Sequence, residues 1–385
     1  MMIRMSLYRA LCLVLGLCTL SGCVEEYEAD IAADDADLLG VEGTICSSGL
    51  NRFYLSRTMP VNSSFSPQRV AGATVSVRGS DGSEYMTQGI DGCYTCQMDA
   101  LSPDVEYYLH IENDGEVYES EPQKPLPTEP IAEVRGVQNT PASNIDVLVT
   151  PGAPLVPDHP NYYSWTYEET WEVRPVYTTD VYYDAKTLTC IQKDSLYPER
   201  GWMDAASFTI MVGASTNYDG QHIQGLKLYD ISRGSERIFY RYSGLVHQRA
   251  ISKAEYEYEL ARRQAGAEMG GLFTPLPSAL PTNIHCRTSG KRAIGFVGCS
   301  LNTSEYRFFL SASDFVIYRP QRKDTRIRLE NPTAYDCLRM LNGGMLLSEW
   351  EDNRLWGGSL QTAWAWAYQL DVRLLGAYIE RPDFW

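Results

Sequence analysis

A mainly β protein is predicted: an N-terminal Ig-like or prealbumin-like β-sandwich, then a larger β-rich domain with one or two helices. Three observations carry this. From Leu38 onward, short runs of alternating apolar and polar residues recur between turn signals, the spacing of a sandwich. The aromatic set is 26 Tyr and 8 Trp against 10 Phe, amphipathic rings that suit half-buried sheets and binding surfaces alike. Prolines crowd the segment from Pro122 to Pro130, which cannot run in a central strand and reads as an extended connector between domains.

The chain opens with a secretory leader. Arg4 and Arg9 precede an apolar run from Leu11 to Leu20. That run is shorter than the roughly 20 residues a helix needs to cross a bilayer, so residues 1–22 are expected to be cleaved. Leu20-Ser21-Gly22-Cys23 has the form of a lipobox, in which small residues admit the peptidase and the cysteine thiol takes a diacylglycerol. Residues 23–37 then form an acidic tether.

Within the first domain, residues 38–130, Val41 to Cys46 and Arg52 to Ser56 are the first strand pair. Ala73 to Val77 is followed by Ser80-Asp81-Gly82-Ser83, and Glu106 to Ile111 by Asn113-Asp114-Gly115 and Glu116 to Glu119. Asp-Gly tolerates the positive φ of tight hairpins, and the spaced carboxylates of a calcium loop are missing. In the second domain, residues 131–385, Asn144 to Val149 begins a strand. Tyr163, Trp165, Tyr167 and Trp171 share one strand face, read as core. Ser252-Lys253-Ala254-Glu255 is a capping box that opens a helix over about 253–268, ended by Gly270-Gly271. Ala293 to Val297 and Tyr306 to Leu310 are strands, while Trp350 to Tyr378 fits helix or strand equally.

Composition and motifs narrow the chemistry. The formal charge is −16, and loss of the leader leaves 31 basic against 49 acidic residues, a charge of −18. Such a surface repels phosphate backbones, so nucleic acid is excluded as a partner. Gly-x-Ser-x-Gly, His-Glu-x-x-His, the phosphate-binding loop and the dinucleotide fingerprint are all missing. His110, His159, His222, His247 and His285 are scattered, so neither a metal nor a cofactor is expected.

Seven cysteines follow Cys23, and at least one is unpaired in a monomer. Cys93 and Cys96 are three strand steps apart, about 10 Å against the approximately 7 Å limit for a disulfide, so they should not bridge each other. Cys46 is expected to bridge to one of them, and Cys190, Cys286, Cys299 and Cys337 are candidates to staple the second domain.

The leader, together with Leu39 to Ile45, Val70 to Val75, Gly92 to Thr95, Tyr167 to Glu172, Gly270 to Pro275, Asn283 to Cys286 and Arg381 to Trp385, resembles the domain-of-unknown-function 4249 family of Bacteroidota lipoproteins. The resemblance covers nearly the whole mature chain. It implies neighbouring genes for TonB-dependent outer-membrane transporters and supplies no catalytic residues. It also implies a cysteine pair near the C-terminal Gly-Gly, from which this chain departs, since only Cys337 precedes Gly343-Gly344. In such lipoproteins an acidic patch like Glu25, Glu26 and Glu28 directs export to the outer face of the outer membrane.

Two functions follow as expectations. The first is a surface lipoprotein, anchored in the outer membrane and facing outward, that acts as a non-enzymatic binding or accessory module for a transporter. Its contacts are expected at exposed rings among Tyr177, Tyr182 and Tyr183. The second is a surface hydrolase acting on glycan or peptide, its site assembled from carboxylates such as Glu168, Glu169 and Asp204, which meet in space rather than in sequence.

Overall fold

The computed structural model describes residues 37–47, 49–58, 68–155, 160–207, 210–267, 280–321 and 323–385. Cys23, Glu25, Glu26, Glu28, His159 and Gly270-Gly271 lie outside the described residues. The protein is mainly β, as the alternating patterns predict. None of the described helices is long and apolar enough to cross a membrane.

The first hairpins do what their turn residues dictate. Asp114 and Gly115 hold φ of 52° and 79°, and the flanking strands Tyr107–Asn113 and Glu116–Ser120 pair antiparallel across them. Two sheets result. One runs Ala293–Ser300, Leu39–Cys46, Gly49–Arg57, Cys93–Met98, Gln88–Ile90; the other runs Ile284–Cys286, Glu116–Ser120, Tyr107–Asn113, Thr74–Gly79, Glu84–Met86. Between them Leu39, Val41, Phe53 and Leu55 meet Val75, Val77, Leu109 and Ile111 in one buried core, which makes the unit a sandwich.

Residues 284–300 lie far beyond the expected boundary at 130, yet they complete both sheets. Ala293–Ser300 pairs parallel with Leu39–Cys46 over its whole length. Close approach is secured at Gly295, where φ is +114° and any Cβ would overlap the Val41 carbonyl. The proline-rich connector is accordingly clamped. Thr128 Oγ1 donates to Asn302 O at 2.8 Å, Asn302 Nδ2 donates back to Thr128 O at 2.8 Å, and Gln123 Nε2 donates to Val297 O at 2.7 Å.

The remaining chain builds two further cores. In the middle unit, Ile131–Val137, Ile145–Pro151 and Leu226–Ile231 form one sheet, facing another of Gly201–Ala206, Tyr162–Val173, Arg241–Ile251 and Ser304–Ser311. Tyr163, Trp165 and Trp171 are buried in its core, and half-buried Tyr167 stacks on Tyr229 with ring centroids 3.8 Å apart. The predicted core face is thus the observed one. The third unit holds the hairpin Val181–Asp184 and Thr189–Gln192, the sheet Ile327–Glu330, Leu360–Trp366, Met345–Asp352, and the helix Ala334–Asn342. The ambiguous region from Trp350 resolves as the end of the strand Met345–Asp352, a 3-10 turn at Arg354–Trp356, the strand Leu360–Trp366, then a short helix Ala367–Leu370 and a 3-10 turn at Val372–Leu375.

The long helix spans Lys253–Ala267. Half of the predicted capping box forms: Glu255 N donates to Ser252 Oγ at 3.1 Å. The Glu255 carboxylate instead turns to buried Arg249, because an unpaired guanidinium in the interior costs far more than an unmade cap bond.

Candidate functional site: an acidic, aromatic cleft

The third unit opens into a cleft of about 630 Å³. One wall is the segment from Pro175 to Glu199, including the hairpin strand that carries Val181; the other is the face of the sheet 327–366. Val181, Ala363 and Leu370 are buried and give the cleft an apolar floor. Trp350 and Tyr197 supply rings at its sides, and burial pushes the Tyr197 hydroxyl pKa upward. Ser195 holds the left-handed φ of 55° in the loop that carries Asp194 to the rim.

Charge in the cleft is one-sided. Asp180, Asp194, Glu199, Glu349 and Glu351 face a single guanidinium, Arg328. Arg328 is already spent on Glu349 at 3.0 Å and Asp324 at 3.1 Å. Gln192 Nε2 donates to Asp180 at 2.9 Å, and Asn353 Nδ2 donates to Glu351 at 2.8 Å. Among the described residues, Asp194 and Glu199 have no hydrogen-bond or ion-pair partner. All five carboxylate side chains belong to solvent-exposed residues.

The tyrosines expected as surface contacts are placed differently. Tyr183 is only 7 % exposed and packs edge-on to Trp364 with ring centroids 6.0 Å apart. An alternation is present in Val181–Asp184, where Val181 and Tyr183 point inward and Tyr182 outward into half-burial. Tyr177 lines a second cleft, of about 350 Å³, under the Arg326 guanidinium, and its hydroxyl donates to Asp324 at 3.2 Å. Only Tyr182 and Tyr177 thus retain accessible ring edges, and the three do not form one surface.

Glu168, Glu169 and Asp204 do not line the large cleft. Glu168 and Glu169 are consecutive on one strand and project from opposite faces. Glu169 is buried, accepting from Tyr242 Oη at 2.9 Å and Arg237 Nη1 at 2.8 Å. Asp204 accepts from Tyr378 Oη at 3.1 Å.

No two of the seven described cysteines are joined. The expected Cys46 bridge is prevented by register: Gly49–Arg57 runs between the Cys46 strand and that of Cys93 and Cys96. Two interstrand steps of about 4.8 Å already exceed the disulfide limit. Ile45 and Cys96 face the core, which turns Cys46 to the opposite side. Cys93 lies opposite Tyr54, which lies opposite Glu42, several residues back along the strand from Cys46. Cys286 and Cys299 belong to the first sandwich rather than the second domain, whereas Cys190 and Cys337 share the third core.

Reactivity separates these thiols. Burial opposes ionisation of Cys286, but hydrogen bonds with Ser289 and Thr288 outweigh it and bring its pKa down to about 7. Burial, reinforced by Cys337, pushes Cys190 up to about 11; burial and Cys46 push Cys299 up to about 12. The thiolate is the nucleophile. Iodoacetamide at pH 8 is therefore expected to label Cys286 first, with Cys190 and Cys299 far behind, in timed peptide mapping of the native protein. Labelling of Cys299 ahead of Cys286 would contradict this order.

A family model described as a domain of unknown function (DUF4249) matches residues 24–306. The chain belongs to this family. The DUF4249 match takes in the first sandwich, the second as far as the start of its strand Ser304–Ser311, and the 175–199 wall of the cleft, and it ends before the 327–366 wall. No curated protein matches the chain. Among solved structures, a DUF4785 family protein from Legionella pneumophila is 8% identical, with a TM-score of 0.17. That match covers 56% of this chain and 51% of the Legionella protein, about half the length of each.

Sequence reasoning missed the cleft because its walls come from segments far apart in the chain. The local signal available was the acidic and aromatic run Glu349-Trp350-Glu351, whose three consecutive residues are all exposed.

Proposed function

We propose that this DUF4249 protein is an outer-membrane lipoprotein, anchored through Cys23 and displayed on the outer face, that works as a binding module for a TonB-dependent transporter. The cleft is its contact site. The observation that carries this reading is the make-up of the cleft: rings and an apolar floor for contact area, and carboxylates that are all solvated. A hydrolytic acid needs a carboxyl buried in apolar surroundings to keep its proton near neutral pH. Cleft residues of that kind are wanting, and the one deeply buried carboxylate of the expected hydrolytic set, Glu169, is neutralised by Arg237 and closed off from the cleft. Confinement to the membrane of its partner also removes any need for very tight binding, since tethering raises the effective concentration.

Fractionation tests the anchor. Cys23→Ala should move the protein from membranes to the soluble fraction. Alanine at Glu25, Glu26 and Glu28 together should leave it membrane-bound but shielded from protease added to intact cells; unchanged protease sensitivity would reject the export role. Pull-down from outer membranes tests the module. The wild type should bring down a transporter, and Trp350→Ala should lose it while unfolding at an unchanged temperature. Turnover of a glycan or peptide by the wild type, with no membrane partner recovered, would overturn the reading.

A further inference from the structure

The cleft's unbalanced charge identifies what it binds. Three of its carboxylates are held by the protein's own donors: Asp180 by Gln192, Glu349 by Arg326 and Arg328, and Glu351 by Asn353. Asp194 and Glu199 are left over, on a loop anchored at its start by the Lys193 N–H donating to Asp180 O. Between them in sequence lies Tyr197, and across the cleft stands Trp350. Free carboxylates beside the exposed ring of Trp350 and the half-buried ring of Tyr197, over an apolar floor, match one kind of side chain. That side chain is a long aliphatic stem ending in a cation, which can lie along rings and offer its charge to carboxylates. Among the described residues that line the cleft, the one cation, Arg328, is already committed.

We infer that the cleft takes a basic segment of a partner polypeptide, an Arg or Lys side chain entering between Tyr197 and Trp350 to meet Asp194 and Glu199. This rests on the binding-module reading and adds the chemistry of the partner. The charge that selects the ligand is local. The protein is acidic throughout, so attraction of polycations in general proves nothing, and the site is defined by dependence on these two carboxylates.

The probe is an end-capped peptide of alternating arginine and leucine, titrated into the purified full-length mature protein while Trp fluorescence and heat are recorded. Binding should weaken steeply as salt rises. Asp194→Asn with Glu199→Gln should weaken it about tenfold, within the range expected of two solvent-exposed ion pairs lost together. The unfolding temperature should not move, because neither side chain has a partner to lose. Asp104→Asn with Glu106→Gln, the same charge change on the first sandwich, should leave affinity unchanged. Equal weakening by both double variants would overturn the inference, since the attraction would then be general. Two further probes distinguish the failures. If a glutamate-leucine peptide or a neutral xylo-oligosaccharide binds at the cleft in place of the basic peptide, the inference falls and the binding-module reading stands. If no probe binds and the oligosaccharide is cleaved, both fall.

Discussion

Replacing Glu255 with alanine should lower the unfolding free energy by about 3 to 5 kcal/mol, the cost of stranding a buried charge. Arg249 sits where the long helix, the strand Arg241–Ile251 and the returning strand Ala293–Ser300 converge. The ion-paired side chains are 14 % and 6 % exposed. Arg249 Nη1 donates to Glu255 Oε2 at 3.2 Å and to Ser300 Oγ at 3.3 Å, while Nη2 donates to Glu255 Oε1. Burial disfavours the cation, and the Glu255 carboxylate outweighs it, holding the Arg249 pKa above its ordinary value. Without that carboxylate, the Ser300 hydroxyl is the hydrogen-bond partner left to a guanidinium largely shielded from water.

The contrast lies one turn away. Lys253 and Glu257 form an i,i+4 pair at 3.5 Å on the exposed side of the same helix. Lys253→Ala should cost less than about 0.5 kcal/mol. Urea unfolding followed by far-UV circular dichroism measures both, fitted with one transition per cooperative unit. Arg249→Met combined with Glu255→Leu should recover most of the loss, because replacing both charges leaves nothing unpaired. A cost below about 1 kcal/mol for Glu255→Ala would mean that water reaches Arg249.

The sequence made some of this architecture legible and hid the rest for identifiable reasons. Local chemistry was readable. The Asp-Gly turns needed only their own φ preferences, and the aromatic alternation from Tyr163 to Trp171 needed only the two-residue period of a strand facing one core. Partner choice was not readable. Ala293 to Val297 was recognisable as a strand, yet nothing local says that it pairs parallel with Leu39–Cys46, because its apolar run suits any buried sheet. The misplaced cysteine bridge has the same origin: Cys46 and Cys96 are on suitable strands, but the intervening strand and the face each residue occupies emerge only from register. Tyr183 was misread because a four-residue strand is too short for its period to stand out from a polar loop. The cleft joins a segment inserted in the middle sandwich with one that follows it, so beyond the run Glu349-Trp350-Glu351 its geometry had no sequence signature.

Trp364→Ala should dismantle the cleft while leaving both sandwiches folded. Trp364 is fully buried, lies opposite Leu347 on one side and Ile327 on the other, and donates its indole N–H to Thr362 Oγ1 at 3.0 Å. Around it are Val181, Tyr183, Cys337, Met340, Met345 and Leu347, the whole of a small core. Removing a buried Trp side chain costs about 3 to 5 kcal/mol. In the larger cores such a loss is spread over many neighbours; in this one six other buried side chains are left to close the space. The cleft floor is built from the same pieces, since Thr362 and Ala363 precede Trp364 on its strand and Val181 packs in its core. Hydrogen exchange should therefore rise across 181–192 and 327–366 and stay low across 39–57 and 162–173, and binding of the basic peptide should vanish. Trp356→Ala makes the control, because Trp356 is 89 % exposed at the tip between the two strands. Its loss should change stability by no more than about 0.5 kcal/mol. If Trp364→Ala instead raises exchange uniformly along the chain, the third core is not a separate cooperative unit, and the cleft depends on the stability of the sandwiches as well as on its own.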